Sequence, residues 1–560
     1  MPTWPNTVWG GLNVRDQAGA LTARSHAPTA EGFSQRAPVE SPHLFNIEFT
    51  ENGIRKRRGS AAGEDFSAIL QASETILRAK AWRNPSTNQQ IQIAVGTKSI
   101  YVREGTADWK QINDSASAAY THAATASLAD IVFTDGHAVI GIDGANQMQL
   151  YRSGDDLDAD LDNGQTYEHA YGGTDTMTGT WADAAYLMAV LHTRLVYTDG
   201  NTQVEYTPMA RAATSGVYDL GGSTAGSHFF DGAVRMLAVF SPDSSGAEDS
   251  LLYAATWSGL HVVTGFLSQD RTREHVTHEA PLNHQAWCSA KNWLIYLTRN
   301  RNLLAVNGTR VIDLGARLRA TEKDGPLDDL SVADSEANAF CTYCPEQEMV
   351  LVGFSSGSGR TNDRMVAIDL KLGEPVPGEP PESFERRVRM LDWRMLNPDD
   401  NAWFVDVYVR EGEVVGITSD AKTYTLFSGN DDQGAVPILG RYRLPVFTGG
   451  DSQVANIAQW LRLVLNCMAT GDWDLTVRVY TDRAEAATLE YTVNQVDEDA
   501  FILDESELGD VLGGDAMVRD ITRLLRRSET IQIEFENGGL GEYFIIPSAV
   551  LSYEPAAIVR

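Results

Sequence analysis

Arg194-Leu-Val-Tyr-Thr-Asp-Gly-Asn-Thr-Gln-Val-Glu-Tyr206 reads as a buried-looking strand, a polar turn and a second strand that returns. Asp199-Gly200 supplies the positive φ that a tight hairpin turn requires. The layout occurs six more times, at Ile91 to Val102, Ile131 to Ile142, Leu251 to Val263, Trp293 to Val306, Met349 to Ile368 and Glu413 to Phe427. Ile131 to Ile142 carries the same Thr-Asp-Gly turn. The spacing, roughly forty to sixty-five residues, is close to the length of a four-stranded propeller blade with loop insertions. One blade cannot bury both faces of its own sheet, whereas a ring of blades can, and the ring also hides sheet edges. Residues 61–430 are therefore expected to form an irregular β-propeller. The hairpins leave its blade number open by at least one, and they carry neither the WD dipeptide pattern nor regular kelch glycine pairs.

After Gly429-Asn-Asp-Asp-Gln-Gly434 the character changes. Arg441 to Phe447, Trp460 to Asn466, Trp473 to Tyr480, Ala487 to Val493, Thr530 to Phe535 and Tyr543 to Tyr553 alternate as strands of a separate antiparallel sandwich, residues 431–560. Residues 1–60 form an N-terminal arm and docking segment, and the acidic piece Asp497 to Gly514 reads as a solvated loop. The fold class is all-β. Helical spacing of apolar residues is scarce and clearest at Ser67 to Arg78 and Asp515 to Arg527; in the second, Asp515 would cap a face of Val518, Ile521, Leu524 and Leu525.

The 560 residues are 43% hydrophobic and 22% charged, which excludes disorder and a fibrous class. With 45 Lys plus Arg against 76 Asp plus Glu, the net charge of −31 excludes gripping nucleic acid by bulk charge. Four cysteines are too few for a disulfide framework and suit assembly in a reducing cytosol. The N-terminus lacks the basic and apolar regions of a secretion signal, and no window reaches the length of a membrane span.

Several constellations invite chemistry. Gly353-Phe-Ser-Ser-Gly357 matches a nucleophile elbow after the apolar Met349 to Val352, but the polar Gly359 to Arg364 stands where the helix belongs, so Ser355 reads as a loop residue. Asp156, Asp158, Asp160 and Asp162 alternate as oxygen ligands for a hard cation, yet Asn163 and His169 occupy the EF-hand positions for Gly and Glu, and a solvated acidic loop is expected. Cys341-Thr-Tyr-Cys344 lacks the second pair of a zinc site and reads as strand-end residues. His275, His278 and His284 with Glu274 and Glu279 form a loop cluster without the His-Glu-x-x-His register. No catalytic, cofactor or metal site is assigned, and no enzymatic activity. Arg55-Lys56-Arg57-Arg58 is the densest basic run of an acidic chain and, ahead of Arg386 to Arg389, is the candidate for docking an assembly partner through Arg–carboxylate forks.

Gly11-Leu-Asn-Val-Arg-Asp16, Ser41 to Phe49 and Asn52-Gly-Ile-Arg-Lys-Arg-Arg-Gly59 together resemble the opening of phage virion proteins that place a Leu-Asn-x-x-Asp segment, an Asn-hydrophobic strand and a Gly-Ile-x-x-Arg-x-Gly turn before a propeller. Trp460 to Leu465, Leu475 to Tyr480 and Ile545 to Pro555 resemble their closing β domain. The pieces cover roughly a fifth of the chain and are similar to the tail nozzle of short-tailed bacteriophages, also called tail tubular protein B or packaged-DNA stabilisation protein. Arg58 stands where that family often has proline. The resemblance implies a structural virion protein assembled in the host cytoplasm, a homo-hexameric ring in the tail. Its partners would be itself, the adaptor ring, a tail fibre, spike or needle protein, and double-stranded DNA in transient passage. It would retain and then release the genome, and an acidic channel wall would let DNA slide.

The rival expectation is a glycan-binding or carbohydrate-active propeller. Trp257, Trp287, Trp293 and Trp403 are its candidate sugar platforms, while the repeated Ser-x-Asp-x-Gly-x-x-x-Trp box of sialidases is missing.

Overall fold

The computed structural model describes residues 9–12, 39–41, 43–50, 53–84, 88–113, 119–134, 137–144, 146, 148–152, 166–168, 174–176, 185–191, 194–206, 226–241, 250–264, 272–319, 325–357, 361–373, 388–393, 404–433, 436–448, 456–468, 470–482, 484–495 and 517–558. It is all-β. Strands from Ser60 to Leu426 form seven blade sheets, each packed on the next, and a small hairpin of Thr166–Glu168 with Thr174–Thr176; the ring of blades is an irregular β-propeller.

Blade 1 is Ile76–Arg83, Gln90–Gly96, Ile100–Glu104 and Lys110–Gln111. Blade 2 contributes Ala129–Thr134, His137–Ile142 and Gln149–Arg152. Blades 3 to 6 begin at Leu187, Val234, Trp287 and Phe340, each with four antiparallel strands. Blade 7 joins Phe404–Arg410, Glu413–Thr418 and Lys422–Leu426 to an outer strand from the other end of the propeller, Ser60–Asp65. This last pairing closes the ring.

Apolar side chains seal the joints between blades. Ile93, Val95 and Ile100 of blade 1 cluster with Ile131 and Ile140 of blade 2. Leu187 and Val196 of blade 3 meet Leu237 and Ala254 of blade 4, whose Met236 and Tyr253 in turn meet Leu294 and Tyr296 of blade 5. Phe66, Ala79 and Tyr101 meet Val405, Tyr408 and Ile417 across the closing joint.

The C-terminal part is an antiparallel β-sandwich. One sheet runs His43–Phe45, Gly440–Arg443, Thr530–Asn537, Asp474–Thr481 and Leu489–Asn494, and the other Met517–Ser528, Asn456–Met468 and Ser548–Ile558. Trp460, Leu463 and Leu465 from one face Val477, Ile533 and Phe535 from the other within one core. The N-terminal segment is woven into this part of the fold, since Gly53–Lys56 also pairs with Ile545–Ile546.

Both expected helices are corrected. Ser67 to Arg78 holds only a short 3₁₀ turn, Ser67–Ile69, before the innermost strand of blade 1 begins at Ile76. Met517–Ser528 is a strand laddered along Asn456–Met468, and Asp515 lies outside the described residues. Long-range pairing overrides a short helical period. Among the described residues no helix is long and apolar enough to cross a membrane.

Candidate functional site

Gly53 takes φ +123°, and a Cβ there would stand 2.2 Å from the Ile546 carbonyl oxygen. Ile54 beside it is fully buried. Arg57 is fully buried too; its Nη1 donates to Asp432 Oδ1 (2.9 Å) and its Nε to Asn46 Oδ1 (3.0 Å), with Nη2 on Asp432 Oδ2 at 2.5 Å. A Cβ on Gly59 would lie 1.8 Å from the Asp431 carbonyl oxygen. The fixed positions of the Gly-Ile-x-x-Arg-x-Gly turn are thus the ones that lock residues 53–59 against 431–432 and 546, where propeller and sandwich meet.

Burial divides this run, placing two of its four side chains inside the fold. Lys56 is fully buried, its Nζ donating to Gly539 O at 3.3 Å, and burial lowers its pKa to about 8 against the pull of Asp431 and Glu542. Arg55 and Arg58 converge on one buried carboxylate, Glu48, at 3.7 and 2.7 Å, with Lys371 at 3.9 Å. Burial pushes the Glu48 carboxyl up, but Arg58, Arg55 and Lys371 together outweigh it and hold its pKa below the ordinary value. Lys56 and Arg57 are internal staples, because an ammonium and a guanidinium buried on partners inside the fold are out of reach of another protein. Arg55 and Arg58 keep partial exposure, 19% and 32%. Of the second basic run, Arg386 and Arg387 lie outside the described residues, and Arg389 pairs with Asp369 at 3.3 Å over the Phe49 ring.

A second concentration of charge fills the propeller hub. Arg78 and Lys80 on the inner strand of blade 1 face Asp406 of blade 7 (3.4 Å) and Asp130 of blade 2 (2.9 Å). Burial raises Asp130, yet the charges of Lys80 and Arg78 outweigh it and hold it low; Asp406, where burial dominates, is raised. Leu282 to Gln285, the link from blade 4 to blade 5, crosses this hub. Asn283 Nδ2 donates to Ala339 O of blade 6 (3.0 Å), His284 Nε2 to Ala129 O of blade 2 (3.0 Å) and Gln285 Nε2 to Leu77 O of blade 1 (3.4 Å). Burial drops the His284 pKa to about 4, so the ring is neutral at pH 7. Sequence spacing gave no sign of this plug; its only signal was a run of polar residues between two strands.

The remaining candidates disperse. Ser355 is fully buried, and its hydroxyl accepts from Asn362 N at 3.0 Å with no histidine on it, so the Gly-x-Ser-x-Gly segment is a corner of blade 6. Cys341 Sγ lies 3.2 Å from Cys288 Sγ, both buried, and burial pushes Cys344 well up from the ordinary thiol value. His275 stacks on His278 at 4.2 Å and meets His261 at 5.2 Å, while His284 sits apart in the hub. Among the described residues no group of three or more His, Cys, Asp or Glu is placed to hold a metal. Asp156, Asp158, Asp160 and Asp162 lie outside the described residues, as does Trp403. Trp293 is core, Trp287 donates its Nε1 to His284 O, and Trp257, 46% exposed, is flanked by the guanidiniums of Arg235 and Arg299 at 3.0 and 4.8 Å. Among the described residues, Trp257, Trp287 and Trp293 make no ring contact with one another.

No protein-family model matches the chain, and no curated protein matches it in sequence. Solved structures similar to it include BBS1N in complex with ARL6DN (TM-score 0.37, 10% identity, covering 67% of this chain and 99% of that one). Others are an exo-β-1,3-galactanase from Phanerochaete chrysosporium (0.25, 11%, 79% and 98%) and a quinonprotein alcohol dehydrogenase-like protein from Bacteroides thetaiotaomicron (0.33, 10%, 63% and 77%).

Proposed function

We propose that the chain is a structural subunit of a short-tailed phage tail nozzle, a ring that retains packaged DNA and then lets it pass. The observation that carries this reading is the junction of the two chain ends. The N-terminal pieces that resemble the nozzle family, Ser41 to Phe49 and Gly53 to Gly59, hydrogen-bond with the C-terminal piece that begins at Ile545 and with Gly440–Arg443, in one module. Segments nearly five hundred residues apart in sequence resemble the same family and occupy the same place in the fold.

The filled hub constrains how DNA would travel. A duplex cannot thread a single propeller whose axis holds Leu282 to Gln285 and the Arg78–Asp406 and Lys80–Asp130 pairs. The conduit therefore lies between copies, and net charge of −31 per chain favours a wall that does not grip phosphates. Arg235 and Arg299 beside the Trp257 ring speak against the glycan reading, since guanidiniums already stack on the exposed indole that a sugar would need.

The test adds purified protein to DNA-filled phage heads that carry portal and adaptor but lack the nozzle. Stable addition that shields the packaged DNA from nuclease is expected; DNA that stays sensitive despite saturating protein overturns the proposal.

A further inference from the structure

We infer that the strand Met517–Ser528 and the sheet face beside it form the contact with an acidic surface of a second copy of this chain. The strand is twelve residues long and, among the described residues, pairs on one side only, with Asn456–Met468. A long edge of unpaired N–H and C=O groups is a template for association, which soluble proteins normally blunt. Here Ile521 and Leu525 are 51% and 63% exposed. Ile521 lies opposite Val464 of the central strand, which is itself buried.

Charge gives the occupant. Arg462 and Arg523 stand directly opposite one another across the two strands, an arrangement that costs stability unless an anion intervenes. Arg526 and Arg527 follow, both exposed. Among the described residues these four arginines have no carboxylate within 4.0 Å, in a chain that carries 76 acidic residues against 45 basic ones. The buried arginines Arg57, Arg78 and Arg389 all have one.

Arginine alone would be an ordinary guard on an edge, and the bulge at Leu525, φ +43°, twists this one. A guard omits large exposed apolar side chains between the charges. Arginine alternating with isoleucine and leucine matches a surface offering carboxylates around an apolar centre, the composition of a protein interface. A phosphate backbone would leave Ile521 and Leu525 without partners. A second copy of this acidic chain supplies both parts of the match.

The inference deepens the ring reading and rests on it for the identity of the occupant. Analytical ultracentrifugation would compare the full chain with an Ile521→Ser, Arg523→Glu, Arg527→Glu variant, circular dichroism and melting checking that both fold alike. The wild type is expected to self-associate with a salt-weakened affinity, and the variant to lose about 100-fold or more. Arg523→Lys alone should retain association. If the variant associates as the wild type does and still shields packaged DNA, this interface is wrong while the ring reading stands. A wild type that neither associates nor shields DNA overturns both. Loss in the variant of duplex DNA binding, with self-association unchanged, assigns the arginines to nucleic acid and overturns the inference.

Discussion

Arg57 and Gly59 lock one junction from two sides, a charge into Asp432 and a missing side chain against Asp431. Arg57→Met leaves Asp432 buried and unpaired, and equilibrium urea unfolding should register a loss of about 3–5 kcal/mol. Gly59→Ala should destabilise as well, because the obstructing Asp431 oxygen belongs to the backbone and cannot swing away. The basic run was legible in sequence but its burial was not: Arg57 and Asp432 are 375 residues apart, and nothing local reports such a pairing.

His284 offers a pH test at the same scale. Its folded pKa of about 4 lies below the ordinary 6.5, so between those values the unfolded chain binds more protons. Its contribution to stability is complete above pH 6.5 and is lost as pH falls towards 4. Thermal melts across that window should fall more steeply for the wild type than for His284→Gln; parallel curves would show that the imidazole is not held neutral in the hub. Lys56 works at the other end of the scale. With its folded pKa about 8 and its ordinary value 10.5, stability should rise with pH between the two, and Lys56→Met should flatten that rise.

At the scale of elements, the seven apolar hairpins read from the sequence are all present, because propeller strands near the axis are covered on both faces and carry almost continuous apolar runs. Six are the middle pair of a blade, and Ile131 to Ile142 is the first pair of blade 2. Outer strands were illegible for the converse reason. Thr272–Thr277 and Arg310–Asp313 are largely exposed and polar, so no periodicity marks them. The closing strand, Ser60–Asp65, is a further case, and its partner lies at the far end of the propeller. Deleting residues 1–65 should leave Lys422–Leu426 without an outer neighbour, and amide exchange in that strand should accelerate by orders of magnitude. Unchanged protection would mean that blade 7 closes without it.

For the whole molecule, acidity and fold class were plain in the composition and the turns, whereas the filled hub and the single-sided strand Met517–Ser528 depend on tertiary placement. Together they separate two ideas that a propeller invites one to merge: the axis of one chain and the channel of an assembly. The most direct test is cryo-electron microscopy of the purified protein, alone and on portal–adaptor complexes. The account predicts a closed ring whose open channel runs between copies, each propeller hub remaining filled and Met517–Ser528 lying at the subunit contact. Particles that stay monomeric in both preparations would contradict it.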